Sequence, residues 1–231
     1  MSDKPIVLLF IKAPVKGQVK SRLAADIGEE AALGLYENFV LDSIETAEKS
    51  AYPFRICFYP AESEGLVAAW LGPQYPYLAQ EGNDLGLRMG NAFRRIFSEG
   101  FTSALLIGSD IPDLPPAMIR SAFESLKKND VVIGPAADGG YYLIGFNSKS
   151  FLSSIFQGIA WGANTVFQKT LDLLKGASLR VHIAPEWKDV DTLDDLRALY
   201  ERKRDTAFDK SRTMTYLVKH RERLFSKIEK P

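Results

Sequence analysis

Four short segments of the chain carry the residue types that bind phosphate and hard cations. The first is Lys12-Ala13-Pro14-Val15-Lys16-Gly17-Gln18-Val19-Lys20-Ser21-Arg22. Its cations Lys12, Lys16, Lys20 and Arg22 are strung along a turn that Pro14 and Gly17 shape, just ahead of a helical pattern. Backbone N–H groups at a helix start, joined by Lys and Arg side chains, suit the oxygens of a phosphate. Taken alone, the segment reads equally as a solvated basic loop. It matches neither a Walker A sequence nor a dinucleotide fingerprint, which weakens the ordinary NTPase and dehydrogenase readings.

The second segment is Gly108-Ser109-Asp110-Ile111-Pro112-Asp113, directly after an apolar run. A carboxylate at a strand end among small residues is well placed to hold a hard divalent cation that bridges phosphates, and Asp110 is the choice for that ligand. Asp113 reads as the cap of the helix that follows, with a second metal ligand as the alternative. The third, Gly134 to Gly140, places Asp138 beside Gly139 and Gly140. These glycines would let backbone approach a bound nucleotide, although Asp-Gly-Gly is also an ordinary hairpin turn. The fourth runs from Asp189 through Asp191 and Thr192 to Asp195. In an extended segment Asp189 and Asp191 share a side and could complete a metal site. Thr192 and Asp195 have capping-box spacing. The chain has two histidines, His182 and His220, and neither lies in these segments, which argues against His-based nucleophilic catalysis and against a His-rich transition-metal site.

The elements that must position these loops follow from hydrophobic periodicity. Ile6 to Ile11 is a continuous apolar run, as a buried strand requires. Leu23, Ile27, Ala31, Leu35 and Phe39 then recur every fourth residue, a helical stripe that Gly28 divides. Further strands are predicted at 54–59, 104–107, 131–133, 141–146 and 179–183. Helices are predicted at 62–71, 84–97, 115–128, 164–175 and 192–200. Strands and helices in alternation imply an α/β domain with a mixed, mostly parallel sheet covered by helices. Ligands of such sheets bind beyond the carboxyl ends of the strands, where the loops above lie. At 141–142, alternation would send one tyrosine ring toward the core and the other toward the cleft.

Composition bounds the reading. Lys plus Arg number 29 and Asp plus Glu 29, and this balance disfavours a nucleic-acid binder. The single cysteine, Cys57, sits in an apolar strand pattern and reads as a buried hydrophobe. No apolar run reaches membrane-spanning length and no secretory signal is evident, so a cytoplasmic protein is expected. The organisation expected is one domain over residues 1–205 and a basic amphipathic helix over 206–231. Met214, Leu217, Val218, Leu224, Phe225 and Ile228 form the apolar stripe of that tail. The stripe is expected to pack on its own domain, with a homodimer interface as the alternative.

Taken together, KAPVKGQVKSRL (12–23), GNDLGLRMGNAF (82–93), LLIGSDIPDLPP (105–116), GPAADGGYYLIGF (134–146) and DVDTLDDL (189–196) resemble the DUF2064 family. That family is a branch of the nucleotide-diphospho-sugar transferase, or glycosyltransferase-A (GT-A), superfamily. The resemblance spans about residues 5–200 and implies a Rossmann-like GT-A fold with the nucleotide over the first loop. It implies that Lys20 and Arg22 contact phosphate, that Asp110 binds the metal with Asp191 as a second acidic position, and that 134–142 lines the pocket of the second substrate. Trp161-Gly162-Ala163-Asn164-Thr165 departs from the family's usual Trp-Ser-Thr.

The function expected is a transferase dependent on Mg²⁺ or Mn²⁺. It would take a nucleotide or nucleotide-sugar donor and pass a group to an unspecified small-molecule acceptor. Lys12, Pro14, Gly17, Lys20, Arg22, Asp138, Gly139 and Gly140 would hold the donor, and Asp110, Lys20 and Arg22 would carry the chemistry. Two alternatives stand: a nucleotidyltransferase of the guanylyltransferase type that releases pyrophosphate, and a regulatory protein that binds nucleotide without turnover.

Overall fold

The computed structural model describes residues 3–225. In chain order its elements are β1 (Pro5–Lys12), α1 (Ser21–Ile27), α2 (Glu29–Lys49), β2 (Phe54–Tyr59), α3 (Glu64–Leu71), β3 (Tyr77–Ala79), α4 (Leu85–Ser98) and β4 (Ser103–Gly108). There follow α5 (Pro116–Leu126), β5 (Val131–Pro135), β6 (Tyr141–Asn147), α6 (Val166–Gly176), β7 (Val181–Ile183), α7 (Leu193–Lys203), α8 (Arg212–Lys219) and α9 (Arg221–Phe225).

The seven strands form one sheet in the order β3-β2-β1-β4-β6-β5-β7. All neighbours pair in parallel except β6, which runs antiparallel to both β4 and β5. The sheet is therefore mixed and mostly parallel, as the sequence predicts. Strand β3 is absent from the sequence-based expectation. It has only three residues, none fully buried, so it carries no apolar run to detect.

Two compact units divide the chain. The first consists of described residues within Met1–Ala13, Thr46–Gly108 and Pro115–Lys188, and it contains the whole sheet. Register keeps Phe10 opposite Cys57 and Lys12 opposite Tyr59, so these four side chains share one face of the sheet. On that face Ile6, Leu8, Phe10 and Cys57 form a core with Met89, Ala92, Phe93 and Ile96 of α4. Cys57 is fully buried, and that burial pushes its thiol pKa far above the ordinary value. It is the inert hydrophobe its apolar neighbours predict.

The second unit comprises Pro14–Glu45, Ser109–Leu114 and the described residues from Asp189 onward. Its core joins Leu23, Leu35 and Phe39 to Leu193, Leu196 and Leu199 of α7. The tail contributes Met214, Leu217 and Leu224 to the same core, while Val218 is 58% exposed. Ile228 lies outside the described residues. In place of one continuous helix the described tail holds two short ones, α8 and α9. Helix α8 starts afresh because Ser211 accepts from the Met214 N–H while Asp42 accepts from the N–H groups of Arg212 and Thr213. Among the described residues no helix is long and apolar enough to cross a membrane.

Candidate functional site

Three of the four segments meet in the second unit around the ammonium of Lys20. The backbone of Lys20 is left-handed, with φ 48° and ψ 47°, immediately before α1. A non-glycine residue held there is strained unless its surroundings fix it. The surroundings of Lys20 do so. Its Nζ lies 2.5 Å from Asp110 Oδ1 and 2.8 Å from Asp191 Oδ1, and it donates to the Val190 carbonyl at 2.8 Å. The side chain is only 3% exposed and passes over the Phe39 ring. Burial opposes the charge, but Asp110 and Asp191 together outweigh it and hold the pKa above the ordinary lysine value.

The acidic partners are held by backbone as well. The Val190 N–H donates to the Asp110 carbonyl at 3.0 Å, so the loop after β4 is tied to the segment entering α7. That segment ends in the expected capping box, in which Thr192 Oγ1 accepts from the Asp195 N–H and Asp195 accepts from the Thr192 N–H. Arg22 lies 4.0 Å from Asp191 Oδ2 and is 73% exposed. One buried cation, one exposed cation and two partly exposed carboxylates thus converge, from segments far apart in the chain.

Asp113 corrects one expectation. It does not cap α5, which starts after Pro115 with no side-chain cap. Its sealed carboxylate pairs instead with Lys203 at 2.9 Å and Arg202 at 3.2 Å. Two cations at the end of α7 attract the carboxylate more strongly than a helix start, and they anchor the loop that carries Asp110. Nothing in the order of residues announces the pairing with Arg202 and Lys203, which lie just past the helix predicted at 192–200.

The other sequence candidates are distributed as follows. Pro14 and Gly17 lie in the second unit, where Gly17 adopts φ 77° and nearby Lys16 pairs with Glu30 at 3.0 Å. Lys12 ends β1 in the first unit. Asp138, Gly139 and Gly140 form the hairpin turn between β5 and β6. Asp138 accepts from the Gly140 N–H at 2.8 Å, and the Ala136 N–H donates to the Gly140 carbonyl at 3.0 Å. The turn explains this sequence locally. Tyr141 packs against Trp161 and Met89, while Tyr142 is 5% exposed and donates to the Pro185 carbonyl, so both rings are engaged within the first unit.

Among the described residues no three His, Cys, Asp or Glu side chains are grouped to hold a metal. Lys20 fills the position shared by Asp110 and Asp191. Asp110 is still 54% exposed, and its Oδ2 has no partner among the described residues. One free carboxylate oxygen fits a hard divalent cation whose remaining ligands are phosphate oxygens and water, the usual habit of Mg²⁺.

Residues 41–163 match the model of the DUF2064 family, described as "Uncharacterized protein conserved in bacteria". A crystal structure of a Desulfovibrio desulfuricans G20 protein, provisionally assigned as a nucleotide-diphospho-sugar transferase, is 39% identical. It superposes with a TM-score of 0.93 over 96% of this chain and 97% of its own. The chain belongs to the DUF2064 family. Its fold is the Rossmann-like GT-A fold, shared with more distant proteins. CMP:2-keto-3-deoxy-manno-octonic acid synthetase complexed with CTP is 12% identical, with a TM-score of 0.54 over 87% of this DUF2064 chain and 100% of its own. The Mycobacterium tuberculosis H37Rv protein Rv0371C, in complex with manganese, is 16% identical, with a TM-score of 0.51 over 87% and 99%. At these identities the last two likenesses concern the fold alone.

Proposed function

We propose that this protein is a metal-dependent transferase acting on an activated nucleotide. The observation that carries the reading is the convergence of Lys20 and Arg22 with Asp110 and Asp191. Asp110 would hold Mg²⁺ or Mn²⁺ through its open oxygen, with Asp191 as a second ligand once Lys20 turns away. The metal, when bound, would neutralise charge developing on the leaving phosphate oxygens. Lys20 and Arg22 would clamp the same oxygens, with Lys12, Pro14 and Gly17 along the donor's path. Asp138, Gly139 and Gly140 would line the binding region for the second substrate. Positioning and fixed charge would then supply most of the rate. The manganese-bound and CTP-bound relatives of the fold support a metal and a nucleotide as ligands.

The donor could be a nucleotide-sugar, which gives glycosyl transfer, or an NTP, which gives nucleotidyl transfer with loss of pyrophosphate. The cation-rich first loop favours the second, because a pyrophosphate leaving group carries more negative charge. Incubation with NTPs and nucleotide-sugars plus Mg²⁺ or Mn²⁺ decides between them. Pyrophosphate release selects nucleotidyl transfer and nucleoside diphosphate release selects glycosyl transfer. No product from any donor sinks the enzyme reading and leaves a nucleotide-binding regulator. Asp110→Asn is expected to lower turnover roughly 100- to 1,000-fold with the fold intact. Ordinary turnover in that variant removes Asp110 from the metal role.

A further inference from the structure

Among the described residues no carboxylate pairs with the cation of Arg88. It lies in the first turns of α4, and its backbone position is fixed. Asp84 caps the helix by accepting from the Leu87 N–H at 2.7 Å. Gly82, with φ +136°, is so close that a Cβ there would stand 2.7 Å from Leu87 Cβ and 3.0 Å from the Arg88 nitrogen. The guanidinium lies 4.0 Å from the centroid of the Tyr59 ring. Its Nε is sealed from solvent and has no hydrogen-bond partner, and no ion pair or hydrogen bond joins the guanidinium to any described residue. An arginine that merely drapes over a surface tyrosine would keep its donors in water. Here one donor has left water with no acceptor among the described residues, a cost that an anion bound by the other guanidinium donors would offset.

The surroundings suit such a ligand. Tyr59 ends β2, paired in register with Lys12 at the end of β1, and both lie on the face of the sheet that α4 covers. Gln80 stiffens this floor by donating to the carbonyls of Cys57 at 2.7 Å and Ile11 at 3.2 Å. The Ala13 N–H adds a bond to the Tyr59 carbonyl at 2.7 Å. Two cations therefore stand on one face at the carboxyl ends of adjacent parallel strands, which is where α/β sheets receive ligands. A guanidinium seated 4.0 Å from an aromatic centroid can turn its remaining donors toward paired oxygens.

We propose that Arg88, held on Tyr59 and assisted by Lys12, is the anchor for a phosphoryl group of a substrate. This rests on the reading of the chain as a protein for phosphorylated substrates. The phosphoryl group can belong to the donor nucleotide or to a phosphorylated acceptor, and the two are separable. Calorimetric titration of the full chain with inorganic pyrophosphate and with CTP, without metal, tests the proposal on the wild type, Arg88→Gln, Arg88→Lys and Tyr59→Leu. Arg88→Gln is expected to weaken pyrophosphate binding at least tenfold. Arg88→Lys should fall between it and the wild type, since charge is kept and the fork lost. Tyr59→Leu should also weaken binding, and it keeps the test available if an Arg88 variant does not fold. A parallel loss for CTP assigns the phosphoryl group to the nucleotide. An unchanged CTP affinity beside a lost pyrophosphate affinity assigns it to the other substrate. Pyrophosphate binding within twofold of wild type in all three variants overturns the role of Arg88 and leaves the transferase reading standing. A wild type that turns over no donor, yet loses pyrophosphate binding with Arg88→Gln, overturns the transferase reading and keeps Arg88.

Discussion

Lys20 Nζ stands 2.5 Å from Asp110 Oδ1 and, through the same ammonium, 2.8 Å from Asp191 Oδ1. A divalent cation bridging these carboxylates would want the position the ammonium already holds. Lys20 and the metal should therefore compete. Lys20→Met is expected to raise the affinity for Mn²⁺ in the absence of nucleotide about tenfold or more, read by electron paramagnetic resonance of free Mn²⁺. Two carboxylates left without a cation attract one strongly. Unchanged Mn²⁺ affinity would mean that the ammonium and the metal use different oxygens.

Asp113 gives a second test. Its carboxylate is sealed, and its cations differ in exposure, Lys203 at 18% and Arg202 at 41%. Removing the buried partner strands the cations, so Asp113→Ala should cost about 3 kcal/mol. For a chain of this length that lowers Tm by roughly 6–12 °C in a thermal melt. Arg202→Ala, at the wetter end of the cluster, should cost about 1 kcal/mol. Equal losses for the two would contradict the burial argument.

The cap and the clamp show what was legible in advance. Thr192 and Asp195 are three residues apart and bond each other, so their role could be read from spacing alone. The strand-end position of Asp110 was legible for the same reason, because an apolar run is a local signal. Lys20 was legible as a cation near a helix start. Its partners were not, since Asp110 and Asp191 reach it only through the folding of distant segments. Asp113 was misread because a carboxylate two residues before a proline-led helix looks like a cap. Its actual partners are side chains of α7, which no local pattern can reveal. No local pattern singles out Arg88, whose sealed Nε without a partner shows only in the folded chain.

Gly139 and Gly158 share a positive φ but differ in what would meet an added side chain. Gly139 has φ +89° and donates its N–H to the Ala136 carbonyl, while its own carbonyl accepts from the Phe167 N–H at 2.8 Å. A Cβ at this position would overlap the carbonyl of Asn164, a backbone atom that cannot swing aside. Gly139→Ala should therefore destabilise the fold by about 3 kcal/mol, seen in urea melts. Gly158, with φ +71° and nothing near its missing side chain, should lose only about 1 kcal/mol on the same change. If both losses are equal, backbone strain alone decides and the contact with Asn164 is irrelevant.

Asp130 accepts from the Arg180 side chain at 3.0 Å and from the Arg180 backbone N–H at 2.9 Å. These bonds, led by the side-chain pair, push its pKa down to about 2 from an ordinary value of 3.8. A carboxyl with a depressed folded pKa adds stability that is fully present above the unfolded value. That stability is lost as pH falls from about 4 toward 2. Arg180 is 69% exposed, so solvent screens the pair and the contribution is discounted to about 1 kcal/mol. Asp130→Ala should lower stability by that amount at pH 7 in chemical melts. The difference from wild type should shrink through pH 4 to 2, because the wild-type carboxylate is then being protonated too. A difference that stays constant down to pH 2 would show that the loss comes from packing rather than charge.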